Sequence, residues 1–327
     1  MLTRKIFIAS VASVATLALV GSAEAQGYPS HPITMIVPFP AGGPTDTIGR
    51  VVADGMRHSL GQPIVIENVS GAAGSLGTGR IARTEPDGYT LFLGNSVTHV
   101  INGAVYALKY DLLKDFAPVI LLANQPQLIV AKKDFPARDL KELIAWLKAN
   151  PGKASAGIGG IGGVSHVAGV FFEKETGTKF QFVPYRGLGP AMQDLVGGQI
   201  DIMIDLAANT LPQVRAGTIK AYAVTSKTRL LAAPDIPTVD EAGLPGFYHS
   251  SWHGLWVPQS TPESIVAKLN SAVVAAFADS TIRERLADMG QETFPPEQQS
   301  PAALGALQKA DIEKWWPVIK AVGLRAQ

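Results

Sequence analysis

From Ile33 onward the chain alternates short apolar runs with longer stretches whose apolar residues recur at helical spacing. Residues 33–39, ITMIVPF, are apolar almost without interruption, the pattern of a strand buried on both faces of a parallel sheet. After the loop PAGGPTD, a helix is predicted from about Thr45, with Ile48, Val51, Val52 and Met56 on one face and a stop near Gly61. Residues 63–69 and 89–95 read as the second and third strands, each followed by a loop marked by Gly or Asn. Apolar strands alternating with amphipathic helices predict a doubly wound α/β layer.

A long apolar stretch, residues 118–134, interrupts this rhythm, and a second cycle follows it. Asp139 with Glu142 three residues on is a capping-box signature for a helix that stops at Asn150-Pro151-Gly152. Strands are predicted at ASAGIG, FQFVPY, IDIMID and IKAYAVTS. The last third is mostly helical, with starts expected at Thr261-Pro262, Ser280 and Ser300-Pro301. Before them, the aromatic segment 247–258 reads as an extended return crossing. The expected organisation is therefore a first domain made of residues 26–124 and 248–327, and a second made of residues 125–247. Two crossings between α/β layers make a hinge with a ligand cleft between them.

The amino terminus adds a destination. Arg4 and Lys5, the apolar run Ile6 to Val20 and the ending Ala23-Glu24-Ala25 have the layout of a secretory signal, predicting cleavage after Ala25 and a soluble exported protein. The remaining roughly 300 residues exceed what one core usually serves, which agrees with two domains. There is no cysteine, so thiol chemistry and Cys-based metal sites are excluded. The 28 basic and 27 acidic side chains show no block of like charge, which argues against a nucleic-acid partner and for a small one. Of the six histidines, His249 and His253 are four apart but fall in a segment read as extended, so neither metal nor cofactor is called for.

Two glycine loops carry the candidate chemistry. In the first, Phe39, Ala41, Gly42, Gly43, Thr45 and Asp46 lie where a strand gives way to a helix, so backbone amides can approach a ligand, and a helix N-terminus with unpaired amides is an anion site. In the second, Gly159, Gly160 and Gly163 precede Ser165, read as an N-cap, and His166, read as the first residue of the following helix and a neutral hydrogen-bond donor. Ligands in such folds sit beyond the carboxyl ends of the parallel strands, which adds Gly71 and Ala72, Asn95 and Ser96, Tyr185, and Asp205. Asp46 and Asp205 are acids beside an expected anion site; Asp46 caps or braces the first helix, or either acid receives a ligand ammonium or hydroxyl.

At PFPAGGPTD (38–46) the chain resembles the Bug family, the substrate-binding proteins of tripartite tricarboxylate transporters. NVSGAAGSLGTG, PDGYTLFLGN, YDLLKDFAPV, GGVSH, VPYRG, GGQIDIMID and PTVDEAGLPGF agree in the same order, across essentially the whole mature chain. The resemblance implies a type II periplasmic binding-protein fold, a carboxylated ligand delivered to membrane permease subunits, a monomer, and no enzymatic activity. One departure stands out: relatives place Ser, Thr or Asn where this chain has Gly159, Gly160 and Ile161, leaving fewer side-chain contacts for the ligand.

Rival readings are weaker. Gly157, Gly159 and Gly162 fit G-x-G-x-x-G, the mark of an NAD(P)-binding oxidoreductase, but Glu175 falls within the helix, whereas a dinucleotide-binding acid ends the next strand. AGSLG and GVSHV are each one glycine short of a hydrolase nucleophile elbow. A periplasmic sensor subunit is not separable from a transport receptor on sequence.

Overall fold

A computed structural model of the chain describes residues 27–321 and 323–325; the predicted export signal, residues 1–25, lies outside them. The first cycle runs β1 (Ile33–Val37), α1 (Pro44–Leu60), β2 (Ile64–Asn68), α2 (Ser75–Ile81), β3 (Thr90–Asn95) and the short α3 (Asn102–Val105). Strand β1 pairs in parallel with β2 on one side and β3 on the other. The near-continuous apolar run in β1 is buried on both faces, as its composition requires. Helix α1 starts on Pro44, a residue that loses nothing at N1 because its missing N–H has no helical partner there, and ends on Gly61 in the left-handed conformation.

The apolar stretch that breaks the rhythm is one long strand, β4 (Phe116–Lys132). The second cycle follows as α4 (Leu140–Ala149), β5 (Ser155–Ile158), α5 (Val164–Thr176), β6 (Gln181–Pro184), α6 (Leu188–Val196), β7 (Ile202–Leu206), α7 (Ala207–Arg215) and β8 (Ile219–Val224). Asp139 caps α4 by accepting from the Glu142 amide, while Glu142 reaches back to the Arg138 amide, one residue earlier than a capping box predicts. The return crossing is β9 (Ser250–Pro258), followed by α8 (Glu263–Ala278), α9 (Ser280–Asp288), β10 (Glu292–Thr293) and α10 (Pro301–Ala321).

The sheet order is β2-β1-β3-β9-β4-β7-β5-β6, with β8 and β10 also on β4. Strand β4 joins the two halves: residues 116–126 pair antiparallel with β9, and residues 127–132 pair with β7 and β8. The crossover falls at Gln127, whose amide donates to His249 O and Thr225 Oγ1. Helix α8 packs on α1 so tightly that a Cβ on Gly55 would stand 2.7 Å from the Ala276 methyl. Helix α10 is tied to the same half through Trp316 Nε1 to Val100 O and Gln308 Nε2 to Leu112 O, each 2.8 Å.

Candidate ligand-binding site

The two glycine loops have the same conformation. In the first, Gly42 has φ 77°, its amide donates to Asp46 Oδ2 at 2.9 Å, Gly43 donates to Pro40 O at 3.2 Å, and Gly43 caps α1. In the second, Gly162 has φ 75°, its amide donates to His166 Nδ1 at 3.0 Å, Gly163 donates to Gly160 O at 3.1 Å, and Gly163 caps α5. The segments AGGPTD and IGGVSH are thus two copies of one turn, with positive φ met by Gly42 and Gly162. Neither N-cap glycine has a side chain to offer the helix. The amides of Thr45 and Asp46 in α1, and of Val164, Ser165 and His166 in α5, therefore have no partner among the described residues.

These two helix ends meet at an inner cavity of about 50 Å³, lined among others by Phe39, Ala41, Gly43, Thr45, Asn95, Gly159, Gly163 and Ser165. A third helix start joins them: Gly187, at φ 121°, caps α6, and Leu188, Gly189 and Pro190 line the same cavity. Asn95 turns its Oδ1 away, accepting from the Val97 and Thr98 amides, and its Nδ2 has no bond among the described residues. An outer chamber of about 790 Å³ adjoins, sharing Phe39, Pro40, Gly159 and Gly187 with the inner cavity. It is lined by Gly71, Ala72, Gly160, Ile161, Tyr106, Tyr185, Arg186 and Arg325, among others. Among the described residues, no acidic side chain lines either space.

Several sequence expectations change in detail. Ser165 is the second residue of α5 rather than its N-cap; its Oγ accepts from the Gly159 amide at 3.0 Å and so fixes the loop. His166 is the third, and with Nδ1 accepting from Gly162 the remaining proton is on Nε2. Burial lowers its pKa to about 4, so the ring is neutral at physiological pH. It packs edge-on to Phe182 and does not line the cavity. The Gly42 and Gly43 amides are consumed inside the loop, leaving the unpaired donors to the helix behind them.

Asp46 braces the loop. Its carboxylate takes Arg50 Nε at 2.9 Å and Nη2 at 3.0 Å, Asn68 Nδ2 at 2.9 Å and the Gly42 amide. Burial alone would raise this carboxyl, but those hydrogen bonds outweigh it and hold it below the usual carboxylate range. Asp205 lies under the cavity floor, fully buried, accepting from Leu206 N at 2.7 Å and Asn209 Nδ2 at 2.6 Å. Burial pushes it up to about 7. Ser96 faces elsewhere, bonded to Ser251 Oγ and lining a separate small cavity with Gln127 and His249. Tyr185 donates to Asp194 at 2.6 Å while lining the outer chamber.

The two halves of the sheet touch across the cleft. Tyr106, just past α3, donates to Ile161 O, and a Cβ on Gly187 would lie 2.8 Å from Pro40 Cγ. Tyr106, Leu188, Pro190 and Arg325 gave no local signal in the sequence; tertiary packing alone brings them here. The glycines of the dinucleotide-like motif have packing reasons, since a Cβ on Gly157 would stand 2.4 Å from Ile200 Cδ1. Among the described residues no group of three His, Asp or Glu is placed to hold a metal ion.

Two α/β halves joined by crossing strands, with helix N-termini converging on the cleft between them, define a type II periplasmic binding protein. The chain belongs to the tripartite tricarboxylate transporter receptor family, whose model matches residues 48–324. Members of this class are solute-binding proteins rather than enzymes. BugT of Bordetella pertussis is 33% identical over 95% of each chain. The solved structure of MatC from Rhodopseudomonas palustris with bound malate is 42% identical, with TM-score 0.85 over 89% of this chain and 100% of that one. R. palustris Rpa4515 with adipate is 32% identical, with TM-score 0.87 over 91% of this chain and 100% of that one.

Proposed function

We propose that this chain is exported to the periplasm, binds a small organic acid between its two glycine loops, and passes it to the membrane permease subunits of a tripartite tricarboxylate transporter. The observation that carries this reading is the repeated turn, which aims the unpaired amides of α1 and α5 at one cavity with no acid in its walls. Such donors favour a carboxylate through main-chain hydrogen bonds and the helix dipoles. The malate and adipate in the two R. palustris structures support the same ligand class.

The direct ligand contacts in this reading are the cavity-lining amides of Thr45, Val164 and Ser165, with Asn95 Nδ2 as a further donor. Asp46, Ser165 and His166 act as braces of the loops. Residues 26–124 with 248–327 form one lobe and residues 125–247 the other, hinged at the crossover near Gln127 and His249. The signal of residues 1–25 directs export and is removed after Ala25. The receptor works as a monomer, and no step requires a cofactor, a metal or turnover of the ligand.

Calorimetry and thermal shift on the mature protein, with a panel of organic acids, their amides and neutral sugars, tests the reading. Saturation at about a hundred times Kd stabilises the folded state by about 2.7 kcal/mol, a shift of several degrees for one or a few acids. Response to sugars alone, or to nicotinamide dinucleotides, would refute it.

A further inference from the structure

The two adjoining spaces differ in kind. The inner cavity, about 50 Å³, admits roughly four non-hydrogen atoms when a water needs about 10–15 Å³ of such space, enough for a carboxylate and the carbon that bears it. Its donors are main-chain amides and Asn95 Nδ2, an acceptor-free set that suits a carboxylate. Everything beyond that head group must lie in the outer chamber, which is more than ten times larger.

That chamber has a definite chemistry. Phe39, Tyr106 and Ile161 give it apolar walls, with Ile161 37% exposed where a hydrophobic side chain gains nothing from water. Its charged lining residues are both cations, Arg186 and Arg325. Arg186 is exposed, directly follows Tyr185 at the chamber wall, and has no carboxylate or carbonyl partner among the described residues. An arginine at a bracing position is normally engaged, as Arg50 is with Asp46. An unengaged guanidinium at the mouth of an acid-free chamber is a fork of donors suited to a carboxylate.

We propose that Arg186 is a specificity-determining residue that receives the far carboxylate of an extended diacid, whose near carboxylate occupies the inner cavity and whose carbon chain lies against Ile161 and Tyr106. This rests on the carboxylate reading of the inner cavity and adds a second, side-chain-built anion subsite to it. The receptor then separates diacids from monoacids of the same length through one residue.

The test is calorimetric binding of α,ω-diacids of four to eight carbons, each paired with its monoacid, to the wild-type protein and to Arg186→Gln and Arg186→Lys. A charge-assisted hydrogen bond corresponds to about ten- to a hundredfold in affinity. The wild type should prefer at least one diacid over its monoacid by that factor. Arg186→Gln should collapse the preference by weakening the diacid alone, and Arg186→Lys should restore part of it. Equal binding of diacid and monoacid by the wild type, an unchanged preference in Arg186→Gln, or an equal loss for both ligands would each overturn the assignment while leaving the inner carboxylate site standing. Absence of binding by every acid would instead remove the carboxylate reading itself, and this inference with it.

Discussion

The Tyr106 hydroxyl lies 2.6 Å from the carbonyl oxygen of Ile161, so a side chain at the end of α3 holds the second glycine loop across the cleft. The bond exists only while the two halves are together. Replacing Tyr106 by Phe should therefore weaken ligand binding by about threefold to tenfold, the effect of one net hydrogen bond, with little change in the melting temperature of the ligand-free protein. Titration calorimetry reads the first quantity and differential scanning the second. A normal Kd would mean that closure does not depend on this contact.

Gly187 makes the second bridging contact, against Pro40, and it does so at φ 121°. Gly187→Ala should bind ligand at least tenfold more weakly, through backbone strain and through a methyl that holds the halves apart. Adding Pro40→Ala removes the obstacle but not the strain. Partial recovery of affinity in the double variant would assign the recovered part to closure, and no recovery would assign the loss to strain alone.

Asp46→Ala leaves the Gly42 amide and Asn68 Nδ2 without their shared acceptor. The expected loss is about 1–3 kcal/mol, or several degrees in melting temperature. Because the folded state holds this carboxyl below its unfolded value, its contribution is present above about pH 4 and lost as pH falls through the lowered value. The wild-type and variant melting curves should accordingly converge at low pH. Parallel curves down to pH 2 would count against the brace.

His99, His166 and His253 are buried and His249 half-buried, and all four are neutral, with pKa values lowered by desolvation to between about 3 and 4. The unfolded chain takes up their protons near pH 6.5, so stability falls as pH drops below that value and continues to fall toward pH 4. Asp205 opposes this, since between about pH 4 and 7 the folded state holds a proton that the unfolded chain has released. Four histidines against one aspartate leave stability falling as pH drops from about 6.5 toward 4. Asp205→Asn should steepen this limb and raise the melting temperature more at pH 8 than at pH 5. An equal change at both would show that burial does not raise Asp205 in the folded state.

Both glycine loops were readable in the sequence because their signal is local: paired glycines between an apolar run and a helical pattern admit few conformations. Their internal wiring was not. Serine is so common an N-cap that Ser165 took that role on sequence, whereas the chain spends two glycines before α5 begins and turns the hydroxyl back to Gly159. Asp205 read as a strand-end residue facing the cleft. Strand β7 runs straight into α7 without a loop, so Asn209, one helical turn on, draws the carboxylate beneath the floor instead. Arg186 carries no local signal, because an exposed arginine acquires meaning only from the acid-free lining beside it.

The repeated turn also bears on how such a receptor changes over evolutionary time. In the proposed binding mode the head group is held chiefly by peptide N–H, which every residue except proline supplies, so drift in cavity side chains other than the bracing Ser165 leaves the anion contact in place. Selectivity can then be rewritten in the outer walls, at positions such as Ile161 and Arg186, without passing through an intermediate that holds nothing. A fixed handle with replaceable walls lets one scaffold be retuned from acid to acid by single substitutions.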